Sequence, residues 1–216
     1  LRDDPEFILL KALSDGRYRA AAEKTKALFS WEKKTAENLF LAVHGNTQNA
    51  ETAREDWAPM LGADSRWQTE TVQSGEPDGY GTYRWSYDNT SYLPLAGAIE
   101  KVRGEGYKRI VCGGFSAGCD MLLRAAVFSP ARCDTLILQS PWIPLLGDHE
   151  KEITEALGQK DIKLIISCGS DDDDCLPMAK DLYNAVRKAG LCANLFIHKN
   201  DRHRFPNEPS VSLDLL

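Results

Sequence analysis

One serine stands in a pattern that favours nucleophilic chemistry. Ser116 lies in Gly114-Phe115-Ser116-Ala117-Gly118, which fits the G-x-S-x-G pattern of a tight strand-to-helix turn. An apolar run typical of a strand precedes this pentapeptide, and apolar residues at helical spacing follow it. A Cβ at either flank would crowd the backbone of such a turn, which explains the two glycines. The pattern predicts an exposed serine hydroxyl positioned to attack a carbonyl carbon.

A serine hydroxyl needs a base to remove its proton, and histidine is the usual one. The chain has four histidines. His44 precedes the serine, His149 comes before the candidate acids, and His198 closes the last predicted strand. His203 lies in the loop beyond that strand, where the base of this arrangement is expected. We therefore predict His203 as the base, with His198 as the alternative.

The acid that orients the base is expected after the strand predicted at Ile162–Cys168. That strand leads into four consecutive aspartates, Asp171–Asp174. One of them is predicted to be the acid, and another, Asp173 or Asp174, is expected to cap the helix near Pro177. Consecutive side chains cannot all converge on one ion, and EF-hand spacing is missing, so no metal site is predicted.

Two backbone amides are needed to stabilise the oxyanion that forms when a serine attacks a carbonyl. The residue after the nucleophile, Ala117, is the expected source of the first amide. The turn after the first long apolar run is the expected source of the second, from Gly45 or Asn46, with the glycine permitting close approach. His44 in that turn is then a structural residue.

Two segments are expected to flank the mouth of the site, because both follow predicted strands. They are the glycine- and aromatic-rich loop 74–92 and the segment Ser140–Pro144. Their aromatic side chains either line an acyl or aryl pocket or cover the core. The candidate pocket residues are Tyr83, Trp85 and Trp142, with Tyr80 and Tyr87 beside them.

Strands alternate with helices along most of the chain, which predicts an α/β fold with a mostly parallel sheet between helices. We expect one such domain over residues 31–216, preceded by a helical extension over residues 1–30. The extension is interpreted as two helices that break at Asp15-Gly16 and pack on the domain. The predicted strands are Asn38–His44, Trp67–Gln73, Lys108–Gly113, Cys133–Gln139, Ile162–Cys168 and Ala193–His198. The predicted helices are Ala50–Leu61, Tyr92–Arg103, Ala117–Phe128, Glu150–Leu157 and Pro177–Ala189.

Composition narrows the class of protein. The formal net charge of −6 over 216 residues argues against a nucleic-acid partner or an anionic membrane surface. No run of eighteen apolar residues occurs, so no membrane span is expected. The six cysteines lack C-x-x-C pairing, which favours a reducing compartment, and we expect a cytoplasmic location. The oligomeric state stays open.

With these residues in hand, the chain resembles serine hydrolases of the α/β-hydrolase superfamily, especially predicted esterases near the phospholipase/carboxylesterase group. The resemblance covers residues 39–206. Its matching pieces are His44-Gly45 with the Trp57 helix, Tyr83-Arg84-Trp85, the Ser116 pentapeptide, Gly169-x-x-Asp172, and His203 before Phe205. The family's G-x-x-D pattern selects Asp172 as the acid, whereas its usual spacing to a proline selects Asp173 as the alternative.

The resemblance implies an α/β-hydrolase fold with a reduced strand count, and hydrolysis of a carboxylic ester or thioester through an acyl-Ser116 intermediate. It implies a Ser116–Asp172–His203 triad, a small-molecule ester substrate, and no metal or organic cofactor. Two alternatives share the fold. One is a serine peptidase of the acylaminoacyl or prolyl-oligopeptidase kind, which usually carries a large gating domain. The other is a non-catalytic ligand-binding protein.

Overall fold

A computed structural model describes residues 2–207 as a central sheet with flanking helices, a small hairpin and an N-terminal helix. The strands are β1 Leu28–Phe29, β2 Asn38–Val43, β3 Trp67–Gln73, β4 Glu76–Gly79, β5 Thr82–Arg84, β6 Ile110–Phe115, β7 Thr135–Gln139, β8 Lys163–Gly169 and β9 Ala193–His198. The helices are α1 Pro5–Lys24, α2 Ala50–Leu61, α3 Leu93–Arg103, α4 Ala117–Phe128, α5 Leu145–Gln159 and α6 Cys175–Lys188.

Seven strands form the main sheet in the order β1-β3-β2-β6-β7-β8-β9. Strand β1 runs antiparallel to β3, and every other neighbouring pair in this sheet is parallel. The mostly parallel α/β sheet predicted from the sequence is therefore confirmed. Leu28 and Phe29, which fall within the first 30 residues, already belong to this sheet.

Alternate residues of the central strands pack on opposite faces of the sheet, as the two-residue period of a strand requires. Leu39 and Leu41 of β2 point into a large core shared with α3, α4, α5 and α6. Phe40 of the same strand points into a smaller core, where Trp57 of α2 packs on it with ring centroids 5.1 Å apart. Because helices cover both faces, the central strands are continuous apolar runs.

The carboxyl ends of four adjacent strands lie at one edge of the sheet, since β6, β7, β8 and β9 are parallel. The connections there are short. A single residue, Ser116, joins β6 to α4, and residues 140–144 join β7 to α5. Residues 170–174 join β8 to α6, and the chain beyond β9 starts at Lys199. This edge therefore holds the serine, the aspartate run and the last histidine.

Three local predictions differ from the structure. The extension is one continuous helix, α1, because an isolated helix-interior glycine such as Gly16 costs only about 1 kcal/mol. Asp15 also pairs with Lys11 one turn earlier, at 2.5 Å. Helix α5 starts earlier than predicted and kinks at His149, whose backbone is non-helical. The loop 74–92 contains the β4–β5 hairpin.

Helix α1 contacts the β4–β5 hairpin of the domain, although none of its residues is buried. Arg84 Nη2 of β5 donates a hydrogen bond to the Tyr18 hydroxyl at 3.1 Å, and the Arg84 guanidinium lies over the Tyr18 ring. No helix among residues 2–207 is both long enough and apolar enough to cross a bilayer.

Candidate active site

Ser116 sits on a strained turn between β6 and α4. Its backbone φ is 51° and its ψ is −120°, a combination that L-residues rarely adopt. Three backbone hydrogen bonds hold this conformation. The Ser116 amide donates to the Gln139 carbonyl at 3.0 Å, and the Ser116 carbonyl accepts from the Cys119 amide at 3.0 Å and the Trp142 amide at 3.3 Å. The turn presents the side chain at the sheet edge.

The flanking glycines are required by close backbone approaches, as predicted. A Cβ on Gly114 would lie 2.9 Å from the Cys119 amide nitrogen, in the first turn of α4. A Cβ on Gly118 would lie 2.5 Å from the carbonyl oxygen of His44, at the end of β2. Distances under 3.0 Å force backbone to move, so both positions need glycine.

Ser116, His203 and Asp172 form one hydrogen-bonded chain. His203 Nε2 lies 2.9 Å from Ser116 Oγ, and His203 Nδ1 lies 2.9 Å from Asp172 Oδ2. An ionised carboxylate only accepts, so Nδ1 carries the proton and donates it to Asp172. Nε2 is then the unprotonated nitrogen and accepts from the serine hydroxyl. This is the tautomer in which a histidine can act as a base toward a serine.

The structure brings Asp172, and not Asp173, to the histidine. The Asp172 side chain is only 3% exposed, whereas Asp173 and Asp174 are exposed. Asp172 Oδ1 also accepts a hydrogen bond from the Cys175 amide at 3.3 Å, at the start of α6. The helix cap expected from Asp173 or Asp174 is thus supplied by Asp172, since Asp174 makes no side-chain capping bond.

The loops that carry Asp172 and His203 are held together by close backbone contacts. The Ser170 amide donates to the His198 carbonyl at 2.8 Å, and the Asp171 amide donates to the Asp201 carbonyl at 2.8 Å. A Cβ on Gly169 would stand 2.2 Å from the Asp201 carbonyl oxygen. Only glycine at position 169 lets the two loops approach this closely. Asp201 is two residues before the histidine, so this contact fixes where the base lies.

A chain of aromatic ring contacts supports the ring of His203. Its ring packs on Phe115 with centroids 5.0 Å apart, and Phe115 packs on Phe205 at 5.0 Å. Phe205 in turn meets Trp57 of α2 edge to face at 5.0 Å. The sequence offered no signal for this stack beyond the position of Phe205 after the histidine. The stack ties the loop after β9 to the smaller core.

His44 is a structural residue, as predicted. It is fully buried, and its ring stacks on Trp85 with centroids 4.9 Å apart. Its Nδ1 bonds to the Gly45 carbonyl at 2.6 Å, and its Nε2 accepts from the Ser74 amide at 3.0 Å. Burial lowers the pKa of His44 from 6.5 to about 4, so the ring is neutral near pH 7.

Of the two upstream residues predicted to donate to an oxyanion, the structure leaves one amide available. The Gly45 amide donates to Gln48 Oε1 at 2.8 Å, so it is already committed. Gly45 still permits close approach, because a Cβ there would lie 2.9 Å from Phe115 Cδ1. No described residue accepts from the Asn46 amide. The Ala117 amide has no partner inside its own helix, since Ala117 is its first residue.

The predicted pocket residues occupy different places. Trp85 is 1% exposed, and its indole N–H donates to the His44 carbonyl at 2.8 Å, so it lies in the core and not at the surface of the site. Trp142 lies three residues after the end of β7 and is half-buried, and its amide donates to the Ser116 carbonyl. Tyr83 is half-buried, and its amide bonds to the Gln48 carbonyl at 2.7 Å. Tyr87 is more exposed, with its hydroxyl 3.5 Å from Asn46 Nδ2.

Two buried thiols pack on the acid and the base, an arrangement for which the sequence carries no local signal. Cys175 Sγ lies 3.4 Å from His203 Nδ1, and Cys168 Sγ lies 3.8 Å from Asp172 Oδ2. Burial and the Asp172 charge raise the pKa of Cys168 to about 12 and that of Cys175 still higher. Both sulfurs are therefore protonated neighbours of the pair.

One possible metal-ligand set coincides with this pair. Asp172, Cys175 and His203 each offer a ligand atom within 4.8 Å of the others. Their chemistry fits a metal poorly. His203 Nδ1 is engaged by Asp172, and the raised pKa of Cys175 opposes the thiolate that a metal would need. These donors suit a hydrogen-bonded acid–base pair better than a metal site.

Comparison with known proteins relates the architecture to solved structures. No protein-family model matches the sequence, and no curated protein matches it. An uncharacterised protein from Bacillus cereus ATCC 10987 superposes with a TM-score of 0.72 at 21% identity, over 96% of this chain and 67% of that one. Esterase PE8 superposes with a TM-score of 0.62 at 15% identity, over 85% and 92%. Acyl-protein thioesterase 2 from Zea mays superposes with a TM-score of 0.56 at 14% identity, over 85% and 90%.

At identities of 14–21%, these superpositions show the fold alone. The sheet of this chain is mostly parallel, and the superpositions cover at least 85% of the chain. The chain described here has the α/β-hydrolase fold.

Proposed function

We propose that this protein is a serine hydrolase that cleaves a carboxylic ester or thioester through an acyl-Ser116 intermediate. The observation that carries the proposal is the hydrogen-bonded chain Ser116–His203–Asp172, with both of its bonds at 2.9 Å. The strained backbone of Ser116 adds support, because such strain persists where the surrounding structure enforces it and is common at active sites. Two of the superposed structures are an esterase and a thioesterase by name.

In the proposed reaction, His203 Nε2 takes the proton of Ser116 as the hydroxyl oxygen attacks the carbonyl carbon of the substrate. Asp172 accepts the Nδ1 hydrogen bond, which orients the ring and stabilises its charged form. His203 then gives the proton to the leaving alcohol or thiol, and the acyl group stays on Ser116. Water, activated by the same nitrogen, releases the acid.

We propose that the amides of Ala117 and Asn46 stabilise the oxyanion of the tetrahedral intermediate. Ala117 follows the nucleophile and begins α4. Its N–H is therefore one of the amides at the N-terminus of that helix, where negative charge is favoured. The side chain of Asn46 is held by the loop that carries Trp85, since its Oδ1 accepts from the Trp85 amide at 2.8 Å. That bond holds the turn in place, and the backbone amide is left for the substrate.

The short connections at the sheet edge support a modest ester as substrate. Only five residues, 140–144, link β7 to α5, so no cap domain is inserted between these elements. Trp142 and Tyr87 are the aromatic side chains that we assign to the mouth of the site. Such a mouth suits a small acyl or aryl group. No cofactor enters the proposed chemistry.

The test is hydrolysis of p-nitrophenyl acetate, p-nitrophenyl octanoate, an acyl thioester and an aminoacyl anilide by the wild-type protein and by Ser116→Ala. The proposal expects turnover of the esters or the thioester that is lost in Ser116→Ala. Turnover of the anilide alone would instead indicate a peptidase. Equal rates for both proteins on every substrate would reject the serine-hydrolase proposal.

A further inference from the structure

Helix α1 presents large apolar side chains to solvent. Leu9, Leu10 and Leu13 are exposed by 60%, 58% and 51%. No residue of the helix is buried, so the domain does not account for these leucines. Clustered apolar side chains on an ordered surface element mark an interaction surface.

The leucines lie on the side of α1 that faces away from the domain. Within Pro5–Lys24, only Asp15 and Ala22 are partly buried, and the Tyr18 hydroxyl accepts from Arg84 of β5. Positions 15, 18 and 22 share one face, because residues three and four apart are neighbours on a helix. Leu13 is two residues before Asp15, and each residue turns the helix by about 100°, which puts Leu13 on the far side.

The outward face has the spacing of a helix-pairing seam. Positions on the outward face recur after four, three, four and three residues, the alternation with which one helix packs along another. The seam consists of Glu6, Leu10, Leu13, Arg17 and Ala20.

The seam is complementary to itself in the antiparallel direction. A two-fold axis between positions 11 and 12 sets Leu10 opposite Leu13 of the second copy, and Leu13 opposite its Leu10. The same axis sets Glu6 opposite Arg17 at both ends. We propose that α1 pairs antiparallel with α1 of a second copy of this chain, forming a two-fold dimer with an apolar centre and two flanking ion pairs.

The charges favour a second copy over a membrane surface. Charges of both signs run along the helix, with acidic residues at positions 6, 15 and 23 and basic residues at positions 11, 17, 19 and 24. A helix that lies on anionic lipid carries basic residues along its whole polar face. Parallel pairing would oppose like charges, Glu6 to Glu6 and Arg17 to Arg17, so the antiparallel direction is selected.

The size of the surface sets the strength of the dimer. A helix of 20 residues is about 30 Å long. One pair of such helices buries less than the roughly 800 Å² per partner of a standard interface. The dimer should therefore dissociate on dilution. Since α1 contributes no residue to the candidate active site, each copy keeps a complete site whether or not it is paired.

The first experiment measures the mass of the full chain by sedimentation equilibrium over a wide concentration range. We expect a reversible monomer–dimer equilibrium for the wild-type protein, and at least a tenfold higher dissociation constant for Leu10→Glu and Leu13→Glu. The matched control is Ile8→Glu, which adds the same charge at a position that is 53% exposed but off the seam. A wild-type protein that stays monomeric at every concentration overturns the proposal, as does equal dimerisation of all four proteins.

A charge-swap experiment tests the direction of pairing. Glu6→Arg and Arg17→Glu should each weaken the dimer of identical chains, because both ion pairs become repulsive. The double variant Glu6→Arg/Arg17→Glu should restore dimerisation, whereas a parallel pair would be unaffected by all three changes. Circular dichroism checks that α1 stays helical. Binding of the wild-type protein to phosphatidylcholine–phosphatidylglycerol vesicles that depends on Leu10, with a monomer in solution, would assign the surface to lipid and contradict the proposal.

Discussion

The carboxylate of Asp172 and the ring of His203 come from loops after neighbouring strands and are joined by a 2.9 Å hydrogen bond between Oδ2 and Nδ1. The aspartate side chain is 3% exposed and the histidine side chain is 42% exposed. This difference suits their proposed roles, because a buried acid holds the geometry while an open base meets the substrate. The same bond distinguishes Asp172 from its three acidic neighbours.

Asp172→Asn should lower kcat/KM for a p-nitrophenyl ester by about 10³- to 10⁴-fold, because an amide can donate to Nδ1 and so favour the wrong tautomer. Asp173→Asn is the matched control, since its carboxylate is exposed and the His203 ring bonds to Asp172 instead. It should change the rate by less than about twofold. A large loss in Asp173→Asn with normal activity in Asp172→Asn would reassign the acid.

Gly169→Ala should reduce both stability and activity, because its Cβ would stand 2.2 Å from the Asp201 carbonyl oxygen. Overpacking of this kind costs about 1–3 kcal/mol and would displace the loop that carries His203. Urea unfolding and ester hydrolysis measure the two effects. Gly147→Ala is the control, since nothing lies within 4 Å of its added Cβ. Equal behaviour of the two variants would show that the contact is unimportant.

His44 should make the protein less stable as the pH falls from about 6.5 towards 4. Burial lowers its pKa to about 4 in the folded state, while the unfolded chain keeps the ordinary 6.5. Within that window the unfolded state binds the proton and the folded state does not, so the free energy of unfolding drops by about 3 kcal/mol in total. Urea unfolding at several pH values measures this. The free energy of unfolding should fall less steeply with decreasing pH for His44→Gln than for the wild-type protein. An unchanged slope would mean that His44 does not titrate this way.

Maleimide should modify one thiol of the folded protein, at Cys192. Cys192 is exposed and the other five cysteines are buried. Burial raises the pKa of Cys175 beside the histidine, so its thiolate is scarce at neutral pH. We expect one label by mass spectrometry, none in Cys192→Ser, and full ester hydrolysis after labelling. Labelling of Cys175 with loss of activity would contradict this picture.

The sequence predicted the elements that depend on strong local signals. The apolar runs of β2 and β6 predicted the central strands, because a continuous apolar run between turn-forming residues is typical of a strand buried in a parallel sheet. The glycine-flanked Ser116 predicted the serine turn. The order of Ser116, the aspartate run and His203 then identified three of the loops at the sheet edge.

What the sequence did not predict depends on tertiary contacts. Trp85 stands in an aromatic loop, but its burial against His44 follows from packing that no local pattern contains. Gly45 was predicted as an amide donor, but its amide donates to the side chain of Gln48, a contact that no local pattern indicates. Asp15-Gly16 carries a breaker signal that the rest of α1 overrides. That Asp172 is the buried one of four consecutive aspartates likewise follows from the fold and not from a local pattern.

The central claim is that Ser116 is a nucleophile activated by His203. Labelling with a fluorophosphonate, followed by intact mass and peptide analysis, tests it most directly. The wild-type protein should gain one phosphonyl group, located on Ser116. Ser116→Ala should not react, and His203→Ala should react at least a hundredfold more slowly. Labelling of Ser116→Ala at the wild-type rate, or an unreactive wild-type protein, would contradict the account.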